Sequence, residues 1–171
     1  MEKKSPPSKP SEPSKPNIIF LDIDGVIWHE KFRDSHPEAK SFDNDKEAMR
    51  LVGQLAVETC SKIVMSSSWR YTEDTLEELK ETMRKGGGDD AFLDLIIDWT
   101  PKLKKSRGYE ISRWLLKHRD EVGNYVILDD AEKYNFLEEE GQLKHLVTTT
   151  MKSGFTKKQY YYAKRKLLAR R

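Results

Sequence analysis

Two short apolar runs in this chain end in paired carboxylates. Ile18-Ile19-Phe20-Leu21 leads into Asp22 and Asp24, and Val126-Ile127-Leu128 leads into Asp129 and Asp130. Two acids so placed suit phosphoryl transfer, one attacking phosphorus as a nucleophile while the other protonates the leaving oxygen and later activates water. Like charges this close raise each other's pKa unless a cation offsets them. If the two runs are neighbouring parallel strands, their tips lie about 5 Å apart, close enough for Asp22 and Asp129 to share one hard divalent ion. An oxygen-only donor set favours Mg²⁺. Gly25 lets the backbone turn after Asp24 and brings N–H groups near a bound anion. The plain alternative for either pair alone is a strand that ends in a polar turn.

Other groups gather around this pattern. Ile63-Val64-Met65 enters Ser66-Ser67-Ser68-Trp69-Arg70, where hydroxyls at a strand end can bind phosphate oxygens without adding charge, or can simply cap the next helix. Lys102, Lys104, Lys105 and Arg107 precede a helix. One of them can reach a phosphate or the attacking carboxylate, and solvated surface cations account for the rest. His29 and His36 have no metal-ligand spacing with a second histidine or cysteine and are expected on the surface. Cys60 cannot form an internal disulfide, and its apolar helical context predicts a buried structural thiol.

The elements that must hold these residues are those of an α/β domain. Runs of large apolar residues bounded by turn formers predict strands at Ile18–Leu21, Ile63–Met65, Leu95–Asp98, Tyr125–Leu128 and His145–Thr150. Helical periodicity predicts helices over Asn44–Cys60, capped by Asp43 or Asn44, over Thr72–Lys85, ended by Gly86-Gly87-Gly88, from Gly108 through His118, and from Thr156 onward. The stretch from Val26 to Phe42 has no period and reads as a loop.

With 171 residues, the chain is long enough for one domain and short for two. Its 35% charged and 36% hydrophobic residues and mean hydropathy of −0.81 describe a soluble protein. No apolar run reaches the roughly 20 residues of a membrane span, and no secretory signal is visible. The expected location is intracellular and reducing, in the cytoplasm. The net charge of +2 hides an asymmetry: residues 152–171 carry eight Lys or Arg and no acid, and residues 1–16 carry four Lys against two Glu, leaving −8 for residues 17–151. An acidic centre suits carboxylates around a metal, and a basic tail suits a polyanionic partner. Residues 1–16, rich in Pro, Ser and Lys, read as a disordered tail, 17–151 as the catalytic domain, and 152–171 as a basic helix that packs Phe155, Tyr160, Ala163, Leu167 and Leu168.

Four motifs now stand in order: DIDGV at Asp22, SSSW at Ser66–Trp69, the Arg107-Gly108 helix start, and VILDD ending in Asp129-Asp130. In them the chain resembles the haloacid dehalogenase-like (HAD) phosphohydrolases. SSSWR, RGYEISRWL and YVILDD are similar to the small HAD domains grouped with RNA-repair, or "Swiss Army Knife", proteins. The resemblance implies a Rossmannoid three-layer sandwich with a five-stranded parallel sheet of order 3-2-1-4-5. It implies Asp22 as nucleophile and metal ligand, Asp24 as general acid/base with its carbonyl on the metal, and Asp129 and Asp130 as further Mg²⁺ ligands. Ser66 or Ser67, with Ser67 preferred for its distance to Trp69, the backbone N–H groups of Ile23 and Gly25, and Arg107 or Lys105 would bind phosphate. The family's third motif usually carries a lysine, so Arg107 is a departure. The roughly 41 residues between Asp24 and Ser66 leave no room for a large cap domain. Capless members tend to act on bulky substrates, which together with the basic tail points to a phosphorylated RNA or DNA end. The competing expectation is a HAD-like module that binds nucleic acid or an acidic partner through its basic tail without catalysis.

Overall fold

The computed structural model describes residues 15–138 and 140–169. All but the last two residues of the expected N-terminal tail therefore lie outside the described residues.

β1 (Asn17–Leu21) is the central strand. It pairs in parallel with β2 (Ser61–Met65) on one side and with β4 (Tyr125–Asp129) on the other, so that Leu21 lies opposite both Met65 and Leu128. β3 (Ile96–Trp99) adds to β2 and β5 (Leu146–Thr148) to β4, giving the order 3-2-1-4-5 with all strands parallel. A strand buried on both faces needs apolar residues at every position. Ile19, Leu21, Ile63, Met65, Val126 and Leu128 face one side, and Ile18, Phe20, Val64, Tyr125 and Ile127 the other.

The first of these faces is covered by α2 (Lys46–Glu58), α3 (Leu76–Lys85), α4 (Asp90–Leu93) and α6 (Lys157–Leu168). The second is covered by α5 (Arg107–Lys117) and the segment around Phe136. There Phe20 meets Trp114 and Tyr125 edge-on, at ring separations of 5.4 and 5.8 Å, a geometry that adds to what burial alone contributes. Among the described residues no helix is long and apolar enough to cross a membrane, and no cap is evident.

Several expectations change. The stretch after Gly25 contains a short helix, α1 (Glu30–Ser35), whose N-cap is His29. His29 is buried, not on the surface. Its Nδ1 accepts from the Phe32 N–H at 3.2 Å, which leaves Nε2–H to donate to Asp45 at 3.0 Å. Asp45, rather than Asp43 or Asn44, caps α2. The helix expected over Thr72–Lys85 is shorter: α3 starts at Leu76 behind a Thr75/Glu78 capping box, and a separate 3₁₀ turn at Ser68–Tyr71, capped by Ser67, precedes it. Cys60 is exposed because α2 ends before it and its backbone turns left-handed, φ 50°. In α6 Tyr160, Ala163 and Leu167 are buried with Phe155, whereas Leu168 is exposed. Lys102 does not float in solvent. It lies 4.3 Å from the centre of the Trp99 ring and donates to the Glu73 carbonyl.

Candidate active site

The carboxyl ends of β1, β2 and β4 meet at one edge of the sheet, and the loops that leave them are held by their own backbones. After β1, the Ile23 carbonyl accepts from the N–H groups of Val26, Ile27 and Trp28 at 3.0–3.1 Å. The Ile23 N–H donates to the carboxylate of Asp22 at 2.8 Å, and the Gly25 N–H donates to the Trp28 carbonyl at 2.7 Å. Both N–H groups expected to face a phosphate are thus engaged inside the loop. Gly25 has φ 71°, and a Cβ there would lie 2.2 Å from Cγ of Asp130. Glycine is what lets the β1 and β4 loops come this close.

Asp22 and Asp129 are buried, Asp130 partly so, and each offers an oxygen within 4.8 Å of the others'. One oxygen of Asp129 accepts from the Ala131 N–H at 2.9 Å. Its other oxygen, Oδ2, is buried and makes an ion pair that lacks hydrogen-bond alignment. Arg107 reaches in from the first turn of α5, with Nη1 3.1 Å from Oδ2 of Asp22 and 3.1 Å from Oδ2 of Asp129. Burial, and then the charge of Asp22, pushes the Asp129 carboxyl up to about 7 against the pull of Arg107. The same two causes raise Asp130. One guanidinium therefore leaves the cluster short of positive charge. With oxygen-only donors and more carboxylate charge than one guanidinium offsets, these residues fit a hard divalent cation such as Mg²⁺.

Asp24 stands beside the cluster, half-buried. Burial and Asp22 raise its pKa, while a hydrogen bond from the Trp69 indole N–H, 3.2–3.3 Å from the two carboxylate oxygens, lowers it. The sequence marks Trp69 as part of a motif, but nothing in its spacing announces this bond, which joins the ends of β1 and β2.

The two candidate serines differ. Both are buried, but Ser67 accepts from the Trp69 N–H at 3.3 Å as the cap of the 3₁₀ turn, whereas the Ser66 hydroxyl has no partner among the described residues. Beneath them lies an ion pair that the sequence reading missed. Buried Arg70 donates from Nε to the Thr100 carbonyl at 3.1 Å and from Nη1 to the carbonyls of Ser66, at 2.8 Å, and Ser67. Its Nη2 donates to Glu110 of α5, less than one turn beyond Arg107. Lys105, the other cation considered for the third motif, is exposed on the connector before α5.

A protein family described as the HAD domain in Swiss Army Knife RNA repair proteins matches the chain over residues 18–160. No curated protein and no solved structure shows a significant match.

Proposed function

Because the chain belongs to the family of HAD domains in Swiss Army Knife RNA repair proteins, a superfamily with a phosphatase-type role, we propose that it is a Mg²⁺-dependent phosphomonoesterase. Its substrate would be a phosphorylated nucleic-acid end or another bulky phosphate monoester. The observation that carries this reading is the meeting of Asp22, Asp129 and Asp130 within 4.8 Å, with Arg107 against two of them. A strand that merely ends in a polar turn has no need to bury carboxylates from two strand tips together.

In this reading a carboxylate oxygen of Asp22, which the Ile23 N–H orients, attacks phosphorus. An aspartyl-phosphate forms as the bond to the leaving oxygen breaks, and Asp24 gives that oxygen its proton. Asp24 then takes a proton from the water that attacks phosphorus, releasing inorganic phosphate and restoring Asp22. Its pKa, raised by burial and by Asp22, moves in the direction that suits a general acid. Arg107 balances the nucleophile and the phosphoryl oxygens, and the unpartnered Ser66 hydroxyl donates to one of those oxygens. Arginine in place of the family's usual lysine offers a two-pronged clamp. Asp22, Asp129, Asp130 and the Asp24 carbonyl would hold Mg²⁺, whose chemistry is to offset charge on the transferring group. The test is phosphate release from p-nitrophenyl phosphate, with and without Mg²⁺, for the native chain and Asp22→Asn. Equal rates for the two proteins would overturn the reading.

A second reading, a binding module that docks on nucleic acid through α6, is favoured by one observation. Tyr161 and Tyr162 are exposed, and Arg165 and Lys166 lie 5.3 and 4.6 Å from the Tyr162 ring. It predicts salt-dependent binding that survives Asp22→Asn. Deleting residues 152–171 cannot test it, because Phe155, Tyr160, Ala163 and Leu167 would leave the core with them. Neutralising Arg165 and Lys166 can.

A further inference from the structure

Arg107 has a second outlook. Besides touching Asp22, it lines a cleft of ≈ 390 Å³ whose other walls include Ser68, Tyr71, Lys104, Lys105 and Asn135. Arg107 is therefore the residue that the cleft shares with the carboxylate cluster. Arg70 and Glu110, which also border it, neutralise each other, so its uncompensated charge is that of the two lysines.

Two features show that this wall is built and held. Lys104 lies in the left-handed region, φ 53°, which costs a residue with a side chain free energy that the surroundings must supply. What holds it is Tyr71: the phenolic oxygen accepts from the Lys104 N–H at 2.9 Å and donates to Glu110 at 2.6 Å. The same carboxylate oxygen accepts from the Leu103 N–H at 2.9 Å. These bonds fix the Tyr71 ring as well as the loop. The Arg70 guanidinium lies 4.8 Å from the centre of that ring, and the residue remains 39% exposed. A ring so immobilised is a platform on which a base can stack, and cations beside it suit a phosphodiester.

We propose that this cleft is a nucleotide subsite that takes the nucleotide next to the phosphorylated end of a single-stranded nucleic acid. Its base lies on Tyr71 and its phosphodiester lies against Lys104 and Lys105. The inference rests on the phosphatase reading above for the identity of the reacting end, and it adds why a polynucleotide is preferred to a mononucleotide. The end phosphate reaches Arg107 while the next phosphate reaches the lysines.

The experiment measures binding, so that it stands apart from turnover. The full chain in EDTA is titrated by fluorescence anisotropy into labelled single-stranded RNA octamers bearing a 3′- or a 5′-phosphate, across a range of salt. The variants are Lys104→Asn with Lys105→Ala, asparagine being a residue that tolerates the left-handed backbone, and Lys105→Ala alone, at an exposed side chain whose loss leaves the fold in place. The double variant is expected to lose about tenfold in affinity for one of the two octamers. Its log-log salt slope is expected to become shallower by about 0.7 for each cation removed. An abasic residue beside the phosphorylated end is expected to cost about fivefold or more. An unchanged affinity and slope in both variants overturns the proposal. So does the absence of binding at low salt, or a loss seen only when Arg165 and Lys166 of α6 are neutralised. Failure of the phosphatase reading would appear instead as phosphate release independent of Asp22, leaving this binding result to be judged by itself.

Discussion

The guanidinium of Arg70 and the carboxylate of Glu110 form an ion pair in which the two side chains are only 1% and 3% exposed. The pair braces the site from below. Arg70 gathers the carbonyls of Ser66, Ser67 and Thr100, and Glu110 anchors the start of α5 from which Arg107 reaches the carboxylates. Removing one partner strands the other charge in the interior. Glu110→Ala is expected to destabilise the chain by about 3–5 kcal/mol, read as a drop in the urea midpoint at unchanged slope. Exposed Arg113→Ala is the control and should shift little.

Trp69 donates its indole N–H to Asp24 and so lowers that carboxyl's pKa. Trp69→Phe keeps a large apolar ring and removes the donor, a hydrogen bond worth on the order of 1–3 kcal/mol to a charged acceptor. The Asp24 pKa should rise further. The high-pH limb of the kcat profile, where the acid loses its proton, should then move to higher pH, with kcat at the optimum reduced. A profile that scales down without moving would show that Trp69 only packs.

Gly25→Ala drives a Cβ to 2.2 Å from the Asp130 carboxyl carbon in a left-handed backbone. The two loops must part, and the proposed cation site parts with them. The expected outcome is a weaker Mg²⁺ requirement curve, with the half-saturating concentration raised by about tenfold, roughly the loss seen when a metal ligand's support is disturbed. Thermal melting with and without Mg²⁺ checks it, since the stabilisation by the ion should shrink in parallel.

Asp129 keeps its proton in the folded state up to about pH 7, while the unfolded chain loses it near 3.8. Between these values the folded state binds more protons, so the contribution of this group to stability falls as pH rises through that window and is flat above it. In EDTA, the native chain should lose stability from pH 4 to pH 7 relative to Asp129→Asn. Mg²⁺ should reverse the sign of the comparison, stabilising the native chain more at pH 8 than at pH 5, because binding needs the carboxylate.

Much of this architecture was legible in the residues. Runs such as Ile18–Leu21 and Val126–Leu128 read as strands because burial on both faces leaves no room for a polar position, and the acids behind them mark the strand ends. The order of the sheet and its lack of a cap followed from motif resemblance and from spacing, and the fold bears them out. What escaped were contacts between residues far apart in the chain. His29 carries no helical or strand period, and the close approach of Gly154, whose added Cβ would sit 2.2 Å from the imidazole, shows how tightly it is enclosed. Cys60 was misread because a helical pattern does not reveal the turn at which the helix stops.

The sequence by itself determined the strands, the position of each acid at a strand tip, and the class of chemistry those acids suit, since apolar runs and side-chain type are local properties. Only the tertiary structure decided that Arg107 rather than Lys105 faces Asp22 and Asp129, that Ser66 rather than Ser67 has a hydroxyl to spare, and that Arg70 and Glu110 hold both in place. Such choices depend on which side chains meet across the crossovers between strands, and a parallel sheet, by joining strands through helices, hides those meetings from any reading along the chain.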